Sequence, residues 1–246
     1  MNFPIEIAAI AFDLDGPLLV QGARPPPRPG PAPGALVDTL PDLHEAANRT
    51  MRDLGREPVE ADAVRDYVGD GVDRLVKRLL TGEPDGEPPA SEFELGRSRF
   101  REHYATVLTC ASRPFPGVTG ALDAMRDQGL RLACVTNKPA AFTLPLLEAL
   151  GLRQRLDLAV SGDSLPRKKP DPIQLQHCAE QFGIPTRRLL MVGDSANDTR
   201  APRAAGCPVF CVPYGYRGGM VVQELDCDAI VPPVLDLLQL IRPVRS

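Results

Sequence analysis

Short apolar runs alternate with amphipathic stretches over the second half of the chain. The apolar runs predict strands near residues 5–12, 130–136, 157–161, 188–193, 208–212 and 228–231. After residue 115, the stretches between them have helical patterns, at 116–128, 140–150, 173–182 and 198–205. Strands that alternate with helices of this length indicate parallel crossover units. The sequence therefore predicts an α/β fold with a doubly wound, mainly parallel sheet.

The interval between the first strand and residue 115 has a different pattern. It predicts helices throughout, at roughly 38–54, 60–67, 71–80 and 91–109. An all-helical insertion after the first strand indicates a cap on the sheet domain. We therefore expect a sheet core from residues 1–16 and 113–246 and a helical cap over 36–112.

Composition narrows the class of protein. A chain of 246 residues that is 43% hydrophobic can bury a full core, and its net charge of −4 gives no basic surface for a nucleic-acid partner. Six cysteines occur without a Cys-x-x-Cys pair, which favours buried reduced thiols over disulfides or zinc. We find neither a signal-peptide pattern nor an apolar run of membrane-spanning length, so we expect a cytoplasmic protein with no membrane partner.

Two aspartates end the first apolar run. Asp13 and Asp15 are two residues apart, so on a strand their side chains point the same way from its carboxyl end, where open α/β sheets bind ligands. Two such carboxylates repel one another unless a divalent cation lies between them. A helix-capping or turn pair is the alternative, because Asp-x-Asp-Gly also suits a loop.

Polar residues follow two other predicted strands. Thr136 and Asn137 come after one of them, and Asp194 and Asp198 after the other. Each pair has a simpler interpretation, since Thr-Asn suits a turn and Asp194 with Asp198 suits the start of a helix. Lys169 lies between these strands, in a segment too rich in proline for a helix interior.

In this order, the four pieces resemble the four motifs of the haloacid dehalogenase superfamily of phosphatases. The resemblance spans nearly the whole chain. It narrows to the phosphoglycolate phosphatase branch through the segments Leu36 to Gly55, Tyr67 to Leu80, VTNKP, KPDP, Val192 to Gly206 and PYGYRGG. It implies a phosphatase for a small phosphate monoester, with 2-phosphoglycolate as the expected substrate, acting as a monomer or homodimer.

The resemblance also implies a role for each site residue. Asp13 is expected to attack phosphorus and form an aspartyl-phosphate, and Asp15 to act as general acid and then general base. Lys169 is expected to bridge the nucleophile and the phosphate as a fixed positive charge. Thr136 and the backbone N–H of Asn137 are expected to bind phosphate oxygens.

A magnesium ion is the cofactor that the resemblance implies. Its expected protein ligands are Asp13, the backbone carbonyl of Asp15, and Asp194. Asp198 is expected to bind the ion directly or to orient one of its waters. Mg²⁺ prefers oxygen ligands and typically keeps several waters, so this set suits it.

One segment departs from the family pattern. Pro17 follows Gly16, and the sequence LVDT, which directly follows the nucleophile motif in the family, appears only at Leu36. We therefore interpret residues 17–35, which are rich in proline and glycine, as an insertion. It is either a harmless surface extension or a change that alters cap motion or damages the site.

Other basic residues and other functions are also considered. Lys138 is expected to be peripheral, and Arg167 and Lys168 to be solvated. The cations of the predicted cap are expected either to bind a substrate carboxylate or simply to form a polar helix face. These cap residues are Arg74, Lys77 and Arg78. The alternative functions are a sugar phosphomutase, a dehalogenase, and a catalytically impaired phosphate-binding or interaction protein.

Overall fold

The computed structural model of the protein describes residues 3–15, 35–212, 222–231 and 237–244. Within these ranges the strands are β1 Ile5–Ile7, β2 Ala9–Asp15, β3 Ala35–Asp38, β4 Arg113–Pro114, β5 Arg131–Val135, β6 Leu158–Val160, β7 Leu189–Gly193, β8 Val209–Cys211, β9 Ala229–Ile230 and β10 Ile241–Pro243. The helices are α1 Leu40–Asp53, α2 Ala61–Tyr67, α3 Val72–Thr81, α4 Ala90–Val107, α5 Val118–Asp127, α6 Ala140–Ala149, α7 Ile173–Phe182, α8 Ala196–Ala205 and α9 Leu237–Leu240.

Strand β2 is the centre of the main sheet. Its residues 9–12 pair in parallel with β5 on one side and β7 on the other. The sheet continues in parallel from β5 to β6 and from β7 through β8 to β9. Every residue of β2 is buried, as expected for a parallel strand that is covered on both faces. The predicted doubly wound, mainly parallel α/β sheet is confirmed.

The end of β2 pairs with a further strand. β3 is parallel to it, with Asp13 opposite Ala35 and Asp15 opposite Val37, and β4 is antiparallel to β3. The expectation that 36–38 begins the helical cap is therefore wrong. Leu36 and Val37 are apolar and buried, and they extend the sheet before the chain enters α1.

The predicted strand at 5–12 is also wrong as a single element, because it breaks at Ala8. β1 pairs with β10 in a separate two-stranded sheet, whereas β2 belongs to the main sheet. At the break, the Ala8 N–H donates to the Arg188 carbonyl and the Ala8 carbonyl accepts from Arg131. The partner of β1 comes from the far end of the chain, so the local pattern gives no sign of this division.

Helices α1–α4 form the segment between β3 and β4. Their buried faces follow helical spacing, for example Leu75, Val76, Leu79 and Leu80 on α3. The carboxylate of Asp42, near the start of α1, accepts hydrogen bonds of 2.8 and 2.7 Å from the backbone N–H groups of 111 and 112. This contact joins the beginning and the end of the helical segment. Its division from the core as a cap domain stays a prediction.

Other expectations are settled only in part. All six cysteines are free thiols, and Cys134, Cys178, Cys207 and Cys211 are buried, as predicted. No helix within the described ranges is both long and apolar enough to cross a membrane. The insertion at 17–35, apart from Ala35, and the PYGYRGG segment lie outside the described residues.

Candidate active site

The predicted nucleophile and acid lie together at the carboxyl end of β2. Asp13 and Asp15 are nearly buried. Asp13 Oδ2 accepts a 3.2 Å hydrogen bond from the Asp15 backbone N–H, and Asp15 Oδ1 accepts a 2.8 Å hydrogen bond from the hydroxyl of Thr39. Neither carboxylate caps a helix, since both residues are within the strand. The two side chains are therefore held in fixed and different environments.

Lys169 joins three elements of the core. Its Nζ donates hydrogen bonds of 2.7 Å to Asp13 Oδ1, to Asp198 Oδ1 and to the carbonyl of Val135. An ammonium has three N–H donors, and these bonds account for all of them. Lys169 is almost fully buried, so it acts as a rigid positive charge beside Asp13.

Asp198 lies in the first turn of α8, as the helix-start interpretation of Asp194 and Asp198 expected, but the N-cap is Ser195 and not Asp194. Ser195 is the N-cap of α8, and Asp198 completes a capping box with it. Asp198 Oδ2 accepts hydrogen bonds from the backbone N–H groups of Asp194 and Ser195 and from the Ser195 hydroxyl. A side chain at Gly193 would not fit this turn, because a Cβ there would lie 2.4 Å from the Asp198 Cβ.

The electrostatics of the aspartates differ. Burial, opposed by the Lys169 ammonium and reinforced by Asp198 and Asp15, raises the pKa of Asp13 to about 7. Burial alone would raise the pKa of Asp198 as well, but Lys169 and the hydrogen bond from Ser195 bring it below its usual value. The four buried aspartates at this site outnumber the two buried lysines beside them, Lys138 and Lys169, and a cation would offset the excess negative charge.

The carboxylates suit a hard divalent cation. Asp13, Asp194 and Asp198 each offer an oxygen, and these oxygens lie within 4.8 Å of one another. Buried carboxylates close to a space for substrate are the ligands that Mg²⁺ uses in phosphate-processing sites. Asp198 Oδ1 accepts from Lys169 and Asp198 Oδ2 accepts from the backbone N–H groups of Asp194 and Ser195, so Asp198 is held in place beside the other two carboxylates.

Thr136 and Asn137 follow β5 and line the same cavity as Asp13, Asp15 and Lys169. The Thr136 hydroxyl accepts a 3.1 Å hydrogen bond from the Lys138 backbone N–H, and among the described residues its own proton has no acceptor, so it can be donated to a ligand. The Asn137 amide group donates 3.0 Å hydrogen bonds to the carbonyls of Gly69 and Lys169. Asn137 therefore contacts the turn before α3, a role that sequence analysis did not assign to its side chain.

This turn, residues 69–71, contacts the core at other points too. Asn197 donates to Asp70 Oδ1 at 2.7 Å and to the Gly69 carbonyl at 3.3 Å. Lys168 Nζ donates to the Asp70 carbonyl at 2.6 Å, so the expectation that Lys168 is simply solvated is wrong. Arg167 is exposed and pairs with Asp171, as a solvated residue would.

Lys138 is not peripheral, contrary to expectation. It is buried, its Nζ lies 3.2 Å from Asp15 Oδ1, and it donates a 2.8 Å hydrogen bond to the hydroxyl of Tyr104 on α4. Its position directly after Thr136 and Asn137 at a strand end was the signal that could have placed it in the site. Tyr104 and Thr39 gave no such signal, because each fits an ordinary core or turn position.

All the predicted site residues line one small cavity of about 40 Å³ between the strand ends and helices α1 and α3. Its polar wall comes from Asp13, Asp15, Thr136, Asn137, Lys138, Lys169, Asp194, Ser195 and Asp198. Its opposite wall is apolar and comes from Leu43, Val68, Val72 and Leu75. A cavity of this volume has room for a few water molecules.

This fold and this arrangement of carboxylates define a hydrolase class. The family model of haloacid dehalogenase-like hydrolases matches residues 7–206, and the chain belongs to that family.

Individual relatives are similar over nearly their full length. The chain is 47% identical to a phosphoglycolate phosphatase of Nitrosospira multiformis, covering 98% of this chain and 99% of that one. It is 46% identical to a phosphoglycolate phosphatase of Thiobacillus denitrificans, covering 96% of each. A solved structure from Haemophilus somnus, described as a predicted phosphoglycolate phosphatase, superimposes with a TM-score of 0.82 at 31% identity, covering 94% of this chain and 96% of that one.

Proposed function

We propose that the protein is a Mg²⁺-dependent phosphatase that hydrolyses 2-phosphoglycolate to glycolate and phosphate. The observation that carries this proposal is the convergence of Asp13, Asp15, Lys169 and Asp194 on one small cavity at the end of β2. The names and extent of similarity of the relatives support the substrate.

Asp13 is the nucleophile. Its carboxylate attacks phosphorus, the bond from phosphorus to the ester oxygen breaks, and an aspartyl-phosphate forms. Lys169 holds one oxygen of Asp13 at 2.7 Å and so fixes the direction of attack. The raised pKa of Asp13 indicates that its ionised form needs further positive charge. Mg²⁺ held by Asp13 and Asp194 would supply that charge and offset the negative charge of the phosphate.

Asp15 is the general acid and base. It gives a proton to the departing alkoxide oxygen and takes one from the water that attacks the aspartyl-phosphate, which releases phosphate and restores Asp13. The hydrogen bond from Thr39 fixes the orientation of the Asp15 carboxylate. Thr136 binds a phosphate oxygen through the proton of its hydroxyl.

The relatives and the site weigh against the alternative functions. The relatives at 46–47% identity are named phosphoglycolate phosphatase, which disfavours a phosphomutase. A dehalogenase would not use the metal-binding carboxylates. Because the described site side chains all reach the cavity, a catalytically impaired binding protein has no structural support within those residues. The insertion at 17–35 follows the end of β2 and ends at Ala35, which pairs with Asp13 in the sheet. Its effect on activity is therefore a question for experiment.

Phosphate release from 2-phosphoglycolate, with and without Mg²⁺, tests the proposal. We expect turnover with Mg²⁺ and none in its absence, and we expect the Asp13→Asn protein to be inactive. Turnover that survives either change would contradict the proposed chemistry. Glucose 1-phosphate is the matched comparison, because a phosphomutase would keep the phosphoryl group on the sugar instead of releasing phosphate.

A further inference from the structure

Lys138 contributes a second buried positive charge to the cavity. Lys169 is the other lysine in the cavity wall, and its three N–H donors are all bonded to the protein. The contacts of Lys138 within the described residues account for only two donors, one toward Tyr104 at 2.8 Å and one toward Asp15 at 3.2 Å. The third N–H donor of Lys138 is available to a ligand.

The Lys138 ammonium is held firmly in place. Tyr104 is fully buried, its hydroxyl accepts from Nζ, and Nζ lies 4.7 Å from the centre of the Tyr104 ring. Burial alone would lower the pKa of Lys138, but the Asp15 carboxylate and the Tyr104 hydroxyl bring it above its usual value. Lys138 therefore stays positively charged at neutral pH, and its position does not depend on a ligand.

The position of Lys138 relative to Asp15 sets the length of substrate that it can bind. The ester oxygen that Asp15 protonates must lie within hydrogen-bond distance of the Asp15 carboxylate, and Nζ is 3.2 Å from that carboxylate. In a two-carbon acid phosphate, one methylene separates the ester oxygen from the carboxylate. The carboxylate of such a substrate can therefore reach Nζ while the phosphate is at Asp13. The apolar wall of the cavity offers no competing polar partner within the described residues.

The cap cations considered in the sequence analysis are engaged elsewhere. Lys77 and Arg74 pair with Glu87 on the surface, and Arg78 pairs with Asp70. These three cations line a separate open cleft and do not line the cavity at the strand ends. Arg74, Lys77 and Arg78 are therefore not partners for the carboxylate of 2-phosphoglycolate bound in the cavity at the strand ends.

We propose that Lys138, held by Tyr104, binds the carboxylate of the substrate and makes the site selective for phosphate esters of short 2-hydroxy acids. This inference rests on the proposed function, because it assumes that Asp13 and Asp15 act on the phosphate end of the same molecule.

The test compares 2-phosphoglycolate with 2-hydroxyethyl phosphate, an ester of the same length in which a neutral hydroxyl replaces the carboxylate. We expect the ratio of kcat/KM for the two esters to fall about 10- to 100-fold in Lys138→Met, because a charge-assisted hydrogen bond is lost for only one of them. Tyr104→Phe should lower the same ratio a few-fold. Lys77→Met is the matched control and should keep the parent ratio.

An equal fall for both esters in Lys138→Met would overturn the proposal, because it would mean that Lys138 acts only on Asp15. Calorimetric titration of the Asp13→Asn protein with both esters makes the comparison without turnover. There we expect tighter binding of 2-phosphoglycolate, and loss of this preference when Lys138→Met is added. If the parent protein turns over neither ester but this preference is present, the phosphatase proposal fails and the carboxylate site stands. If the preference is absent, the carboxylate site fails.

Discussion

At the residue scale, the turn between β7 and α8 depends on the absence of a side chain at Gly193. The Asp198 carboxylate is fixed there by Lys169 and Ser195, so it cannot move away from an added methyl group. We expect Gly193→Ala to lower the free energy of unfolding by roughly 1–3 kcal/mol, as overpacking typically does. Urea unfolding measures this change.

Gly120→Ala is the matched control for this substitution. Gly120 lies on the exposed side of α5 with nothing within 4 Å of an added Cβ. Because alanine favours a helix over glycine, we expect this change to raise stability by about 0.5 kcal/mol. Equal stability of Gly193→Ala and the parent protein would contradict the close packing at Asp198.

Single residues also show how much of the candidate site could be predicted from the sequence. Six of the site residues could be proposed because they lie at or just after the end of an apolar run, and strand ends of a parallel sheet meet at one edge: Asp13, Asp15, Thr136, Asn137, Asp194 and Asp198. Lys169 lies in a proline-rich segment, and only the family resemblance indicated its role. Lys138 follows the same strand as Thr136 and Asn137, but the sequence predicts a peripheral position for it. Its environment depends on Tyr104, which is 34 residues away on α4, and no local pattern indicates a partner at that separation.

At the element scale, the contact between the turn at 69–71 and the core predicts a role for Asn197. Its amide group donates hydrogen bonds to Asp70 and to the Gly69 carbonyl, and Gly69 and Gly71 of this turn line the cavity. Removing both bonds in Asn197→Ala should weaken closure and lower kcat/KM for 2-phosphoglycolate roughly 30-fold, since two bonds of about 1 kcal/mol each amount to about 2 kcal/mol. Steady-state kinetics and amide hydrogen exchange over residues 67–72 measure the two effects.

Ser98→Ala is the control for a surface change on the helices between β3 and β4. Ser98 is exposed on α4 and bonds only its neighbour Glu102 among the described residues. It should leave both kcat/KM and exchange at the parent values. The account of closure would be wrong if Asn197→Ala matched this control.

The elements that the sequence misjudged have a common physical cause. Hydrophobic periodicity located α1–α8 and the parallel strands well, because each depends on its own apolar pattern. β1 and β3 depend on partners instead. β1 is separate from β2 because β10 pairs with it, and β3 is a strand because the end of β2 needs a neighbour beyond the region covered by β5.

At the scale of the whole molecule, the electrostatics predict a link between pH and Mg²⁺ binding. The pKa of Asp13 is about 7 in the folded protein and 3.8 as its ordinary value, so the metal-free folded state holds an additional proton between these limits. This group therefore makes the metal-free protein less stable as the pH rises through that window. Mg²⁺ needs the ionised carboxylate, so its binding should strengthen over the same range.

We expect Mg²⁺ to raise Tm more at about pH 8 than at about pH 5.5. Thermal unfolding with and without Mg²⁺ at the two pH values measures this difference. In Asp13→Asn the difference should be much smaller, because its amide does not titrate. An effect of Mg²⁺ that is the same at both pH values in the parent protein would contradict Asp13 as a ligand.

The central claim is that Asp13 becomes phosphorylated, and its most direct test is to trap that species. Acetyl phosphate is small and has a leaving group that needs little help from an acid, so Asp15→Asn should still permit attack by Asp13 but slow the attack of water. We predict that acid quenching followed by peptide mass mapping will find one phosphoryl group on the peptide that contains Asp13. Phosphate release by the parent protein with no phosphoryl group on Asp13 in the trapped variant, or with the group on another residue, would contradict the account.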